Sequence, residues 1–221
     1  MNLNWDFIIE SLHLYGEAAL TTFRLGFWGI LFSLFIGVIC SIILYFNIKG
    51  LGKIVKIYVE LSRNTPLLIQ LFFLYFGLTK VGIVLSEEAC AIIGLSFLGG
   101  SYMTEAFRSG LEAVGVTQIE SGLSIGLSKL QLARYIIFPQ AISVSMPSLG
   151  ANCIFLLKET SIVGAIAVMD LMNITKNLIG MYYQTYESLF MLVVSYLIMI
   201  LPLSFFLTWL ERKVRYAEFG N

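Results

Sequence analysis

The sequence predicts an all-α membrane protein with about five transmembrane helices. Of its 221 residues, 58% are hydrophobic and only 13% are charged, and the mean hydropathy is +0.85. A soluble domain carries about a quarter charged residues, so this chain has too few to cover a surface that faces water. Buried helices of a soluble bundle are the alternative that this shortage argues against. Charged residues are absent from Leu25–Ile48, Ala89–Thr104, Tyr135–Leu157 and Ser188–Leu210.

The uncharged runs give the individual spans. A helix needs roughly 20 apolar residues to cross a hydrocarbon core of ~30 Å, and three of the four runs are long enough alone. The shorter run Ala89–Thr104, and also Asn64–Thr79, reach that length if their flanking residues lie in the interfaces. We predict five spans in one transmembrane domain, residues 1–221, with no internal repeat.

Charge placement predicts the orientation of the chain. The positive-inside rule places short loops rich in Lys and Arg in the cytoplasm. Basic residues cluster between the first and second spans, between the third and fourth, and after the fifth: Lys49, Lys53, Lys56 and Arg63; Arg108, Lys129 and Arg134; and Arg212, Lys213 and Arg215. The N-terminal segment is mainly acidic, and Glu87 and Glu88 lie in an outer loop. We therefore expect the N-terminus outside and the C-terminus inside, which an odd number of spans satisfies.

Composition and motifs exclude several classes of function. Basic and acidic residues number 14 each, so there is no basic stripe for nucleic acid. The one histidine, His13, precedes the first span, and no His-Glu-x-x-His motif occurs, so we expect no catalytic or metal site. No phosphate-binding Gly-x-x-x-x-Gly-Lys loop is present. An ion-driven secondary transporter would show an internal repeat and acidic residues within its spans, and neither is evident.

The segment of about residues 109–138, between the third and fourth spans, is long enough to carry structure of its own. Thr117 with Glu120, and Ser128 with Gln131, have the spacing of capping boxes that start helices. Gly126 between them suits the residue after a helix end, and the second helix is expected to end before Pro139. An apolar stripe recurs at three- and four-residue steps: Val116, Ile119, Leu123, Leu127 and Leu130. Its spacing leaves open whether it packs under the bundle or receives a partner.

The same segment resembles the EAA motif of ABC importer permeases. The spacing matches at Glu120, Ser121, Gly122, Gly126, Ile136 and Pro139, with serine and glycine in place of the two alanines and Phe138 in place of leucine. The resemblance implies a cytoplasmic coupling helix that fits a cleft in an ATPase subunit. The residues expected to make that contact are Glu120, Ser121, Gly122, Leu123, Gly126 and Leu127.

Further blocks are similar to the polar amino acid (His/Glu/Gln/Arg/opine) family of these permeases. They are Tyr58–Leu78, Ser101–Arg108, Pro139–Ala141, Leu157–Ser161 and Leu210–Arg212. The resemblance implies a permease subunit in a bacterial cytoplasmic membrane, without enzymatic chemistry or a cofactor of its own. It also implies a cytoplasmic ATPase dimer that holds ATP and Mg, a second permease copy or paralogue, and an extracytoplasmic amino-acid-binding protein. An importer for another small solute, such as methionine, is the alternative.

Polar residues near the spans have both structural and transport interpretations. Thr65 and Pro66 suit the start of the second span, and the pairs Glu60–Arg63 and Glu105–Arg108 suit local anchoring. Lys158 and Glu159 follow a long uncharged run at a point where we expect the helix to break, since the next uncharged run is too short to cross. They are either an ordinary outer loop or part of a path for a zwitterion. The candidates for lining that path are Gln70, Ser101, Tyr102, Asn152, Lys158 and Glu159.

Overall fold

The chain folds into helices joined by short connections in a computed structural model, which describes residues 3–219 and their side chains through residue 215. No strand occurs within these residues. The helices are α1 (Trp5–Tyr45), α2 (Leu51–Arg63), α3 (Leu67–Phe72), α4 (Leu78–Lys80), α5 (Glu87–Glu112), α6 (Val116–Ser124), α7 (Lys129–Leu132), α8 (Phe138–Glu159), α9 (Leu171–Tyr182) and α10 (Thr185–Phe219). Wider π-turns join α3 to α4 and α7 to α8, and a 3₁₀ helix follows α8 (Phe73–Gly77, Ala133–Ile137 and Thr160–Ile166).

Four helical stretches are long and apolar enough to cross a membrane: Trp5–Tyr45, Glu87–Glu112, Lys129–Ile166 and Thr185–Arg215. The remaining apolar stretch, Leu67–Lys80, is shorter. At about 1.5 Å per residue it extends only ~21 Å, less than a hydrocarbon core of ~30 Å. Because α2 ends just before it, α2 can supply the missing length. The predicted all-α membrane class is confirmed, and the fifth crossing stays a prediction.

The closest helix pair is α1 with α5, and small residues on α1 make it possible. The small residues buried along one face of α1 are Gly26, Gly29, Ser33, Gly37 and Ser41. A Cβ at Gly29 would lie 2.9 Å from the Cβ of Leu95, and one at Gly37 would lie 2.9 Å from the backbone carbonyl carbon of Met103. Contacts therefore advance in the same direction along both helices, so α1 and α5 run parallel.

Helix α8 runs antiparallel to α5. Gly110 near the end of α5 lies against Ala141 and Ser145 near the start of α8, whereas Gly99 lies against Leu156 near its end. This arrangement brings the ends of α5 and α8 that flank α6 and α7 close together.

A second core forms where α9 and the start of α10 pack on the N-terminal half of α1. Its buried side chains are Ile8, Tyr15, Ala18, Leu171, Ile174, Leu178, Met191 and Leu192. The Tyr15 hydroxyl shares a hydrogen bond of 2.9 Å with the Thr175 hydroxyl and donates one of 2.8 Å to the Ser188 carbonyl. The end of α1 opposite the α6 region is thus held by tertiary contacts.

Two local predictions around the second span are wrong. The N-cap of α3 is Pro66, not Thr65, whose hydroxyl instead donates to the Leu61 carbonyl at the end of α2. Arg63 and Glu60 do not pair. Arg63 approaches Glu105 on α5 (4.0 Å), and the Glu60 carboxylate accepts from the Asn64 amide (3.1 Å). Thr65 and Glu60 thus find partners four residues away in their own segment, whereas Arg63 finds its partner on another helix.

Candidate functional site

Helix α6 ends in a turn built on Gly126. The Gly126 N–H donates to the Leu123 carbonyl (3.0 Å), and the Leu127 N–H donates to the Gly122 carbonyl (3.1 Å). This pair of bonds is the Schellman motif, which satisfies carbonyls that a helix end leaves unpaired. Gly126 has φ +86°, in the left-handed region where glycine alone is unstrained. The predicted role of Gly126 as the residue after the helix end is confirmed.

The start of α7 is also as predicted, but its end is not. The Ser128 hydroxyl accepts from the Gln131 N–H, and the Gln131 side chain accepts from the Ser128 N–H, which completes the capping box. The helix does not stop before Pro139. Proline lacks the N–H that would bond to residue 135, and the π-turn Ala133–Ile137 widens the helix just before it, so the chain stays helical into α8.

The first predicted capping box is wrong. Helix α6 starts at Val116 with Gly115 at its N-cap, and no side chain caps it. Thr117 therefore lies inside the first turn, where it cannot serve as the N-cap that the sequence suggested. The Glu120 carboxylate is exposed and, within the described part of the chain, forms no hydrogen bond or ion pair. It is left available to a partner.

Helix α6, the Gly126 turn and α7 form an elbow, residues 116–132, that presents apolar side chains to its surroundings. The exposed fractions are 68% for Val116, 49% for Leu123, 78% for Ile125 and 79% for Leu130. Gly122 faces the other way and is buried: a Cβ there would lie 2.6 Å from Leu132 and 2.8 Å from Ile136. One side of α6 therefore packs against the start of the Lys129–Ile166 helix. Its other side leaves an apolar surface uncovered.

The helix break predicted near Lys158 and Glu159 is confirmed. Helix α8 ends at Glu159, the 3₁₀ segment follows, and Ala167 adopts φ +68° before α9 begins. Lys158 is exposed and Glu159 is half-buried. Leu157, the residue before Lys158, packs against Gly26, which lies close to the start of the long uncharged run of α1. Both charges thus lie at the end of α8 that faces away from the elbow.

The other path candidates differ in their surroundings. Ser101 is fully buried, and its hydroxyl donates to the Leu98 carbonyl (2.6 Å) within its own helix. Asn152 donates to the Tyr102 carbonyl (3.3 Å). The Tyr102 ring is half-buried, with the Arg63 guanidinium 5.3 Å from its centroid. The structure brings Tyr102 and Asn152 together and leaves Ser101 inside the helix packing.

Gln70 bridges the break between α2 and α3. Its amide nitrogen donates to the Ser62 carbonyl (3.1 Å) and the Thr65 carbonyl (3.0 Å). The Ser62 carbonyl belongs to the last turn of α2, where carbonyls have no partner within the helix, and the Thr65 carbonyl belongs to the connection that follows. Its amide oxygen is buried without a hydrogen-bond partner in the described residues, beside an apolar cavity of about 590 Å³. Gln70 thus supports the broken helix and keeps one acceptor free.

A network of charges joins α2 and α5 near the elbow. Arg108 donates to both carboxylate oxygens of Glu112 (2.7 and 2.8 Å) and to Glu105 (2.6 and 3.3 Å). The predicted Glu105–Arg108 pair is confirmed, and Arg63 from α2 extends it across the two helices. Sequence spacing does not indicate this cross-helix contact, because its partners are far apart along the chain.

Asp170 is a buried polar residue that sequence reasoning missed. Lying between the Lys129–Ile166 and Thr185–Arg215 stretches, it is fully buried at the N-cap of α9. It accepts from the backbone N–H groups of Asn173 (3.0 Å) and Met172 (3.2 Å). Burial raises its pKa to about 6, and the two N–H donors offset only part of that effect. An Asp before an apolar helical stretch is the signal that could have identified it.

Over residues 3–219, no three His, Cys, Asp or Glu side chains lie close enough to hold a metal ion. What the fold offers is a set of apolar helices, a break with charged residues at one end, and an exposed elbow at the other. These features are those of a membrane protein with several spans and an uncovered apolar surface at one end.

Comparison with known proteins agrees with this class. The profile of the family described as binding-protein-dependent transport system inner membrane component matches residues 29–216. The chain therefore belongs to this family of inner membrane transport components. It is 34% identical to the probable amino-acid permease protein YxeN of Bacillus subtilis (strain 168), over 83% of this chain and 85% of that protein.

Two solved structures share the fold. A crystal structure of an amino acid ABC transporter with histidines superposes with a TM-score of 0.88 and 28% identity, over 96% of this chain and all of that one. The inward-facing MetNI methionine ABC transporter gives a TM-score of 0.75 at 20% identity, over 93% of this chain and 98% of that one. The second likeness is one of fold alone.

Proposed function

We propose that this chain is the permease subunit of an ATP-binding-cassette importer for polar amino acids. The observation that carries the proposal is the exposed apolar elbow with EAA-type spacing on a fold shared with an amino acid ABC transporter. The whole chain, residues 1–221, acts as one permease domain. Relatives named for amino acids support this substrate class over the methionine alternative, which rests on a likeness of fold.

In this mechanism, the energy of ATP hydrolysis by the partner subunit reaches the permease through the elbow. We assign the contact with the partner ATPase to Glu120, Ser121, Leu123, Gly126 and Leu127. Gly122, also expected at this contact, lies on the opposite, buried face of α6 and supports the contact surface from behind. Gly122 supports this assignment, because its lack of a side chain lets α6 lie directly on Leu132 and Ile136. A displacement of α6 by the ATPase is then passed to the helix that continues into the fourth span. Two packings of the spans, biased in this way, give alternating access.

The assembly that this mechanism needs is larger than one chain. A cytoplasmic ATPase dimer binds ATP and Mg and supplies the hydrolysis. A second permease copy or paralogue completes the path, since five spans are few for a whole conduit, and membrane lipid surrounds both. An extracytoplasmic binding protein delivers the amino acid at the face opposite the elbow, with the N-terminus of this chain outside and its C-terminus inside.

The substrate path runs past the break after α8. A free amino acid carries an ammonium and a carboxylate, so its path needs polar groups of both signs. Lys158 and Glu159 offer both where the helix ends, and backbone that leaves its helix within a membrane protein is tolerated where it lines a cavity. Gln70, Tyr102 and Asn152 extend the path toward the elbow. Ser101 contributes through helix packing, given its burial.

Reconstitution tests the proposed function. The tagged chain, purified with the proteins that accompany it, is placed in liposomes containing ATP, and uptake of each radiolabelled amino acid is measured. We expect accumulation of a polar amino acid that persists when proton and sodium gradients are collapsed and stops when ATP is removed. Accumulation that follows an ion gradient would contradict the proposal in favour of a secondary transporter, and selective accumulation of methionine would support the alternative substrate.

A further inference from the structure

A charged cavity of about 690 Å³ lies on the elbow side of the bundle, between α2, the end of α1 and the end of α5. It is separate from Lys158 and Glu159, which lie at the opposite end of α8. The charged residues that line it are Lys56, Glu60, Arg63, Glu105, Arg108 and Glu112.

The cavity must open to water rather than to lipid. Glu105 and Arg108 lie in the last two turns of the Glu87–Glu112 span, and both side chains are about one third exposed (28% and 34%). Charged side chains within a span face a water-filled space, because exposure to hydrocarbon is costly. Given the proposed orientation, that space is continuous with the cytoplasm.

The six charged residues differ in whether they already have a partner of opposite charge. Arg108 is held by the four hydrogen bonds to Glu105 and Glu112, and Arg63 approaches Glu105 at 4.0 Å, so both of these carboxylates already have a cation. Lys56 has no carboxylate within 4.0 Å in the described chain, although it is exposed toward the cavity. Glu60 has no cation within that distance there, and its carboxylate accepts only from the Asn64 amide. One cation and one carboxylate therefore remain free.

The two free charges are four residues apart on α2. Side chains at that spacing project from the same face of a helix, about 5–6 Å apart at their Cβ atoms. A small molecule with an ammonium and a carboxylate on one carbon can contact both, the ammonium facing Glu60 and the carboxylate facing Lys56. Arg63 lies one turn beyond Glu60 and two turns from Lys56, and it is only loosely paired with Glu105 at 4.0 Å, so Lys56 is the cation left for the carboxylate.

We propose that this cavity binds the α-ammonium and α-carboxylate groups of a free amino acid from the cytoplasmic side, through Glu60 on the one hand and Lys56 on the other. The inference rests on the proposed function and deepens it, because it gives the importer a second, inner site that senses or releases the product of transport. The site recognises the groups common to all α-amino acids, so its binding does not depend on which one is carried.

The test measures binding directly in the absence of the binding protein. The complete complex of permeases and ATPases is placed in nanodiscs of phosphatidylglycerol and phosphatidylcholine without nucleotide, and equilibrium binding of radiolabelled L-glutamine is recorded. We expect Lys56→Gln and Glu60→Gln each to raise the Kd about tenfold, as the loss of one charge-assisted hydrogen bond would. All these side chains are exposed, so neutral replacements leave the packing intact. Lys53→Gln, a lysine on α2 outside the cavity, is the matched control and should bind as the wild type does.

Two analogues test the chemistry of recognition. 4-Aminobutanamide lacks the carboxylate of glutamine, and 4-carbamoylbutanoate lacks its ammonium. Each should compete at least about tenfold more weakly than glutamine, since each forfeits one charged contact.

Several outcomes would overturn the inference: no saturable glutamine binding, equal competition by the analogues, or binding that Lys158→Gln removes and Lys56→Gln does not. The uptake assay is independent of these measurements. Uptake without inner binding would therefore refute the second site alone, whereas inner binding without ATP-driven uptake would refute the importer assignment alone.

Discussion

The backbone N–H of Leu127 donates to the carbonyl of Gly122 across the end of α6, and this bond exists only because the residue before Leu127 has φ +86°. A residue with a Cβ pays about 1–2 kcal/mol for that backbone conformation. The angle between α6 and α7 therefore depends on a glycine at position 126. A substitution at Gly126 should therefore change the shape of the whole elbow.

Replacing Gly126 by valine should uncouple ATP hydrolysis from uptake. The branched side chain resists the left-handed conformation, so the turn opens and α6 loses its angle to α7. The spans do not involve Gly126, and membrane insertion should be normal. In proteoliposomes we expect continued ATPase activity with uptake reduced by about tenfold or more, the effect of a strain of about 1.4 kcal/mol or more on the productive state.

The control for this variant is Gly115→Val. Gly115 has an ordinary φ of −64°, and no atom lies within 4 Å of the position its Cβ would occupy. It should couple nearly as well as the wild type. Normal uptake by Gly126→Val would show that the elbow does not carry the coupling.

Replacing Gly37 by alanine should weaken the bundle. A Cβ there would meet Met103, including its backbone carbonyl carbon at 2.9 Å, and backbone cannot move aside as a flexible side chain does. Overpacking of this kind costs about 1–3 kcal/mol. Thermal unfolding in detergent should show a lower Tm. Gly52→Ala, at a helix position with open space around it, should leave the Tm unchanged or raise it, and an unchanged Tm for Gly37→Ala would disprove the close approach of α1 and α5.

Neutral replacements at the end of α8 should impair transport. Lys158→Gln and Glu159→Gln each remove a charge that the amino acid meets on the path, and we expect each to reduce uptake about tenfold, as one lost charged contact would. Glu159→Asp keeps the carboxylate and should retain most activity. Lys176→Gln, an exposed lysine on α9, is the matched control. Wild-type uptake by both neutral variants would assign the pair to an ordinary surface loop.

Cysteine labelling checks the orientation. Val84 and Ile125 are equally exposed, at 77% and 78%, but lie on opposite sides of the membrane in the proposed topology. In a Cys40→Ala background, an impermeant maleimide should label Val84→Cys in intact cells and Ile125→Cys only in inside-out vesicles. The remaining cysteines, Cys90 and Cys153, are buried. The reverse pattern would place the elbow outside and refute the importer mechanism.

The sequence predicts correctly those features that depend on contacts between residues close together along the chain. The capping box of Ser128 with Gln131 and the glycine turn at Gly126 depend on atoms a few residues apart, and both form. The box expected at Thr117 fails although its spacing is right, because the helix starts at Val116 after Gly115.

The partner of Arg63 and the exposed side of α6 depend on tertiary contacts, which sequence spacing does not predict. Arg63 bonds toward Glu105, 42 positions along the numbering, instead of toward Glu60 one turn away. The spacing of the apolar stripe likewise could not say which side chains stay exposed. Gly122 settles that question, since its missing side chain turns one face of α6 toward Leu132 and leaves Leu123 on the open side.

The π-turn at Ala133–Ile137 affects the direction in which the elbow faces about the axis of the fourth span. An α-helix rotates ~100° with each residue, and a π-turn accommodates one residue more than an α-turn does. Deleting one residue from this turn would restore ordinary α-helical winding and swing the elbow through roughly that angle about the axis of the fourth span. The direction in which Leu123 and Ile125 face, relative to the fourth span, is thus set by one additional residue. That direction can change while every side chain on the surface of the elbow stays the same.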